Sequence, residues 1–145
     1  MNKNFARKAF TLIEVLIVVI IMAVLAATII PQFSSSTTDA KDSSLQFNLH
    51  TIRSQIEMFK VHHNGTYPTL ANFADQMTKK TNAAGTVDAN GAYGPYSTGD
   101  IPANPFNDKN TLTAGDGSAH IDDGTGWQYD ASDGGFYPNN SEYYE

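Results

Sequence analysis

No cysteine occurs among the 145 residues. That excludes a disulfide framework, a thiolate metal site and a cysteine nucleophile. Charge is scarce as well: only 17% of residues are Asp, Glu, Lys or Arg, and the balance is −6. From Thr81 to Glu145 the only Lys or Arg is Lys109, set among many acids. Such a surface repels phosphate backbones, so nucleic acid is not an expected partner. The spacings that announce catalysis are also missing. There is no His-Glu-x-x-His, no phosphate-cradling glycine loop and no Gly-x-Ser-x-Gly. The residues therefore point away from an enzyme. The length suits one modest domain.

What the chain does have is one long apolar run. Residues 9–31 read A-F-T-L-I-E-V-L-I-V-V-I-I-M-A-V-L-A-A-T-I-I-P, and between Val15 and Ile30 the only polar side chain is Thr28. Residues 10–30 as a helix would measure roughly 31 Å, about one hydrocarbon core. Lys3, Arg7 and Lys8 precede the run, which orients its N-terminus to the cytoplasm and the bulk of the chain to the other side. Glu14 sits just inside the start, where lipid makes a charge costly.

The residues alone leave three readings open. One is a secretory signal peptide, with a small-residue cut near Val24-Leu25-Ala26; Glu14 and the apolar residues beyond that point speak against it. A second is an uncleaved anchor whose helix starts with a capping box, Thr11 capping and Glu14 reaching back to its amide. The third rests on likeness. K-A-F-T-L-I-E-V-L-I-V-V-I-I-M-A-V-L-A-A resembles the processing segment of the type IV pilin and type II secretion pseudopilin family. The resemblance implies removal of a basic leader, residues 1–9, by a prepilin peptidase that cuts between Ala9 and Phe10, where relatives usually carry Gly. It implies N-methylation of Phe10, and assembly through Phe10 and Glu14, the carboxylate of one subunit meeting the new α-amine of its neighbour. It also implies a helix kink at Pro31. Residues 10–30 would be the transmembrane helix, later the filament core, and residues 31–145 a pilin-like globular domain outside the cytoplasm.

Beyond the run, Pro31 and Ser34-Ser35-Ser36-Thr37-Thr38 read as a soft joint of poor helix formers, with helix resuming by Asp39. Leu45, Leu49, Ile52, Ile56 and Phe59 then form one apolar stripe at helical spacing. Asn64-Gly65 ends that helix, Gly65 suiting the left-handed position. His62 and His63 fall in the last turn, where as cations they would complement the dipole. Thr69 is placed as a cap for a short second helix carrying Leu70, Phe73 and Met77, to about Lys79. The stretch H-N-G-T-Y-P-T resembles the end of the long helix in the major, G-type pseudopilins. From Thr81 to Pro105 a Gly/Pro/Asn-rich connection follows, to be packed by Tyr93, Tyr96, Ile101 and Phe106.

Strand signals come late. Residues 110–113 give a weak one. Residues 127–130 and 135–138 flank Ala131-Ser132-Asp133-Gly134 as a β-hairpin, with Trp127 and Tyr129 facing the helix stripe. The expected fold class is α+β, a long N-terminal helix packed on a small C-terminal antiparallel sheet. The best candidate metal residues are Asp116, Asp122 and Asp123, for which oxygen-rich loops and the G-type resemblance suggest calcium. Asn64-Gly65-Thr66 and Asn139-Asn140-Ser141 fit the glycosylation acceptor pattern. The whole suggests a structural subunit of a pseudopilus-like homopolymer serving type II secretion. It would sit as a single span in the bacterial inner membrane with its domain in the periplasm, partnered by minor pseudopilins and the secretion assembly platform. Two alternatives are a type IV pilin for adhesion, motility or DNA uptake, and a membrane-anchored extracytoplasmic enzyme or binding domain.

Overall fold

A computed structural model describes residues 10–116 and 122–141, with the backbone alone over residues 29–35. The leader residues Lys3, Arg7, Lys8 and Ala9 lie outside the described residues. The chain divides into two compact units, Met1–Asp39 and Ala40–Glu145. One helix, α1, runs Leu12–His62 and contributes to both.

In the first unit the helix begins as its capping box dictates. The Thr11 amide donates to Glu14 Oε2 at 2.8 Å, and the Glu14 amide lies 3.4 Å from Thr11 Oγ1. The expected joint is not a break. α1 is helical through residues 31–38 without interruption. Pro31 removes one amide donor from the ladder, and a single lost bond does not end a helix whose neighbouring turns remain bonded.

In the second unit the apolar stripe is the core. Leu45, Leu49, Ile52, Ile56 and Phe59 are all buried, together with Phe73, Met77, Trp127, Tyr129 and Phe136. α1 ends in a Schellman arrangement: Asn64 takes the left-handed C′ position at φ 56°, and the Gly65 amide donates to the Lys60 carbonyl at 2.9 Å. Gly65, at φ 86°, thus sits one residue later than its glycine suggested. A 3-10 turn, Leu70–Asn72, leads into α2, Phe73–Thr78. Thr69 is extended but makes no side-chain cap. Its hydroxyl instead donates to Gln76 Oε1 at 3.3 Å and accepts from Asn72 Nδ2 at 3.2 Å, while its amide donates to the same Gln76 oxygen at 2.8 Å.

Three short strands follow: β1, Leu112–Ala114; β2, Trp127–Tyr129; β3, Phe136–Pro138. They pair in the order β1-β2-β3. The β2–β3 hairpin is as expected, with Tyr129 opposite Phe136. The sheet is mixed rather than antiparallel, because β1 runs parallel to β2, Leu112 beside Trp127. A turn joins β2 to β3. There the Asp130 carboxylate accepts from the Ser132 amide and hydroxyl, which holds its acidity on the strong side, and Asp133 Oδ1 accepts from the Gly135 amide at 2.7 Å. Gly134 is required: its φ is 82°, and a Cβ would fall 2.3 Å from the Tyr67 ring. The connection from Thr81 is packed as its aromatics suggested, with Tyr96, Ile101 and Phe106 against the core and the Trp127 Nε1–H donating to the Pro102 carbonyl at 2.8 Å.

Candidate functional site: the N-terminal apolar segment

The side chains from Phe10 to Leu25 are built for contact with something other than water. Phe10 is 82% exposed, and Ile17, Val18, Val19, Ile20 and Ile21 are each about half exposed. At 100° per residue, five consecutive positions sweep more than a full turn, so the helix is apolar on every face. Such a helix needs lipid or other apolar helices around it. Thr28 does not interrupt the pattern, since its hydroxyl donates to the Leu25 carbonyl at 3.0 Å within its own helix.

Among the described residues no helix is long and apolar enough to cross a membrane. The described side chains of the run stop at Thr28. Residues 12–28 cover roughly 25 Å, short of the ~30 Å hydrocarbon core.

The one acid in this surface is partly spoken for. Glu14 Oε2 accepts both the amide and the hydroxyl of Thr11, each at 2.8 Å. Oε1 takes no hydrogen bond from the described residues. The carboxylate is therefore held at the helix start with one oxygen still able to accept. Phe10 lies just before it, so the two residues singled out for assembly are neighbours at one end of α1. Ala9 lies outside the described residues, and of Pro31 only the backbone is described.

The aspartates singled out for calcium behave differently. Among the described residues no three His, Cys, Asp or Glu side chains gather to hold a metal. Asp122 Oδ1 accepts from the Gly124 amide and from Asn139 Nδ2, both at 2.8 Å. Asp123 accepts from the Ser141 amide and hydroxyl. Asp116 is exposed at the end of the described loop. Asp122 and Asp123 tie the chain near its C-terminus to this loop.

That tie is a buried asparagine knot which sequence reasoning missed. Asn104 Nδ2 donates to the Gly126 carbonyl at 2.9 Å and to Asn140 Oδ1 at 2.8 Å. Asn107 Nδ2 donates to the carbonyls of Thr125 and Asn139. Asn139, 0% exposed, also donates to Thr125 Oγ1 and accepts from the Gln128 amide group. Buried amides need partners, and this group supplies most of its own, Asn140 Nδ2 alone being buried without one among the described residues. Its burial removes Asn139 as a glycan acceptor. Nothing in the pattern of a polar, turn-rich tail announces burial; only the pairing of asparagines across residues 104–107 and 139–140 hints at it.

One family model falls on the N-terminal segment. Residues 4–30 match the prokaryotic N-terminal methylation motif. The type II secretion system core protein G of Pseudomonas aeruginosa is 32% identical over 74 residues, 51% of this chain and 51% of that protein. Its namesake in Dickeya chrysanthemi is 28% identical over 74 residues, covering 51% of this chain and 48% of the relative. The one in Vibrio cholerae is 28% identical over 118 residues, 80% of this chain and 77% of the relative. Against the first two, the chain spans about half of the relative's length. No solved structure matches. The chain thus carries the N-terminal methylation motif of the type IV pilin family, and the proteins it resembles are core proteins G of type II secretion systems.

Proposed function

We propose that this chain is a structural subunit of a pseudopilus-like filament that serves type II protein secretion. A prepilin peptidase removes residues 1–9, and Phe10 is N-methylated. Residues 10–30 hold the chain as a single span in the inner membrane, with residues 31–145 in the periplasm. Assembly moves the helix from lipid into a homopolymer that grows on the secretion platform with minor pseudopilins, Pro31 giving the helix its bend. One observation carries the reading: a helix start apolar on every face, bearing a single carboxylate, within the matched methylation motif.

The physics favours assembly over storage. A carboxylate in an apolar medium requires a cationic partner. Cleavage at Phe10 creates an α-amine with a pKa near ~8, cationic at neutral pH. Stacking helices with a stagger brings one subunit's Glu14 to the next subunit's amine and satisfies both. The names of the relatives favour secretion over a type IV pilin for adhesion, motility or DNA uptake.

The test is genetic. Deletion of the gene in its own host should leave type II substrates trapped in the periplasm. The wild-type gene should restore export, and Glu14→Ala should not, although its product still reaches the membrane. Normal export in the deletion strain would overturn the reading.

A further inference from the structure

The end of α1 carries a cluster to which the proposed assembly assigns no role. His63 is 2% exposed. Its Nδ1 lies 3.4 Å from the Ala83 carbonyl, which can only accept, so Nδ1 carries the proton in the neutral ring. Nε2 is then the acceptor, and two hydroxyls surround it, Thr81 Oγ1 at 3.0 Å and Tyr96 Oη at 3.1 Å. Tyr96 Oη also lies 3.1 Å from His62 Nδ1, and the His62 ring stacks on Tyr93 at 5.1 Å. Phe59 closes the apolar side at 4.0 Å between ring centres. The same residues fasten a loop, since Thr81 and Tyr93 exchange backbone hydrogen bonds at 3.0 and 3.1 Å.

We propose that His63 is a pH-operated latch: neutral, it holds the Thr81–Tyr93 loop against the end of α1, and protonated, it releases that loop. A second proton on Nε2 reverses the direction of its hydrogen bonds. Thr81, itself wholly buried, must then accept and find another place for its own proton. Among the described residues no carboxylate lies against the new charge. The titratable groups around it are His62 on its own helix and Tyr93 and Tyr96 from the loop. Lys79 from the end of α2 pairs at the surface with Asp75 at 2.8 Å, Lys80 is exposed, and Asp88 Oδ1 accepts from the Asn90 amide. No carboxylate faces the ring among the described contacts. Burial, and then the neighbouring His62, accordingly hold the His63 pKa below the ordinary histidine value.

The sign follows. The unfolded or released state takes the proton more readily, so loop closure is complete above about pH 6.5. It weakens as pH falls below that value. The Trp127–Tyr129 strand carries no group that titrates between pH 5 and pH 7.5 and stays in place.

The experiment is amide hydrogen exchange on the full chain in detergent micelles, corrected for intrinsic rates, between pH 7.5 and pH 5, alongside the NMR titration of the His63 ring. The Thr81 and Tyr93 amides should exchange at least tenfold faster at pH 5, with a midpoint matching His63 and below the usual histidine value. The Trp127 and Tyr129 amides should not change. His63→Gln keeps a donor and an acceptor but cannot charge, so it should abolish the pH response, while His62→Gln retains it. Unchanged exchange in the wild-type chain, or a response that persists in His63→Gln, overturns the proposal. Should His63→Gln not fold, a wild-type opening midpoint that differs from the His63 titration overturns it equally.

Discussion

The Tyr129 hydroxyl donates to the Pro68 carbonyl at 2.8 Å, a bond that spans 61 residues and fixes the central strand to the turn that follows α1. Both partners are buried. Burial pushes the Tyr129 phenol well above its ordinary range, with smaller effects of Tyr67, Asp130 and Asp133 in the same direction.

Tyr129→Phe should therefore cost about 1–3 kcal/mol, chiefly through the stranded Pro68 carbonyl. The folded state holds the phenolic proton more tightly than the unfolded state. The stability this supplies is complete below about pH 10 and is lost as pH rises beyond it. Thermal melting followed through Trp127, the single tryptophan, should show an alkaline decline in the wild-type chain that Tyr129→Phe makes shallower.

The helix stripe gives a second expectation. Leu49 and Ile56 are 2% and 1% exposed and point into the Trp127–Tyr129–Phe136 core. Leu49→Ala or Ile56→Ala should each destabilise the chain by about 2–5 kcal/mol. Phe47, 71% exposed, should tolerate Ala within about 0.5 kcal/mol in the unassembled subunit. Denaturant unfolding in micelles distinguishes the three.

Much of this fold is legible because its periodicities are strong. Leu45 to Phe59 repeat at helical spacing and all are buried, and Asp133-Gly134 between two aromatic runs marks the hairpin. Thr11 and Glu14 declare their capping box at a spacing of three. What escaped was set by distant partners. Leu112–Ala114 gives no sign of lying parallel to Trp127–Tyr129, since direction depends on the route taken by residues 115–126. Asn104, Asn139 and Asn140 look like loop residues until their mutual hydrogen bonds are seen. His63 looks like a dipole partner until Thr81 and Tyr96 enclose it. Asp122 and Asp123 stand out by composition, and their Asn139 and Ser141 donors become visible only in the fold.

Processing is read directly by mass spectrometry. Membrane-extracted protein should begin at Phe10 and carry one added methyl group. Ala9→Gly should be cut at least as fast, and a bulky side chain at that position should block the cut. A mature chain beginning at Met1, or after Ala26, would sink the assignment of Ala9 and Phe10.

Calcium can be tested by melting at constant ionic strength. Binding to the folded state alone adds about 2.7 kcal/mol when free ligand is ~100 times its dissociation constant. With Asp122 and Asp123 already accepting from Gly124, Asn139 and Ser141, millimolar Ca²⁺ should shift the melting temperature no more than Mg²⁺ does. A calcium-specific rise that disappears in Asp122→Ala or Asp123→Ala would place the ion on Asp116, Asp122 and Asp123 after all.

The parallel pairing of β1 with β2 orders the folding of the sheet in time. β2 and β3 are joined by a short turn and meet as soon as both are available, whereas β1 must await closure of the far longer 115–126 connection. The hairpin is therefore expected to form before β1 docks. In amide exchange the rim at Leu112–Ala114 should open more readily than the Trp127–Tyr129 strand it pairs with.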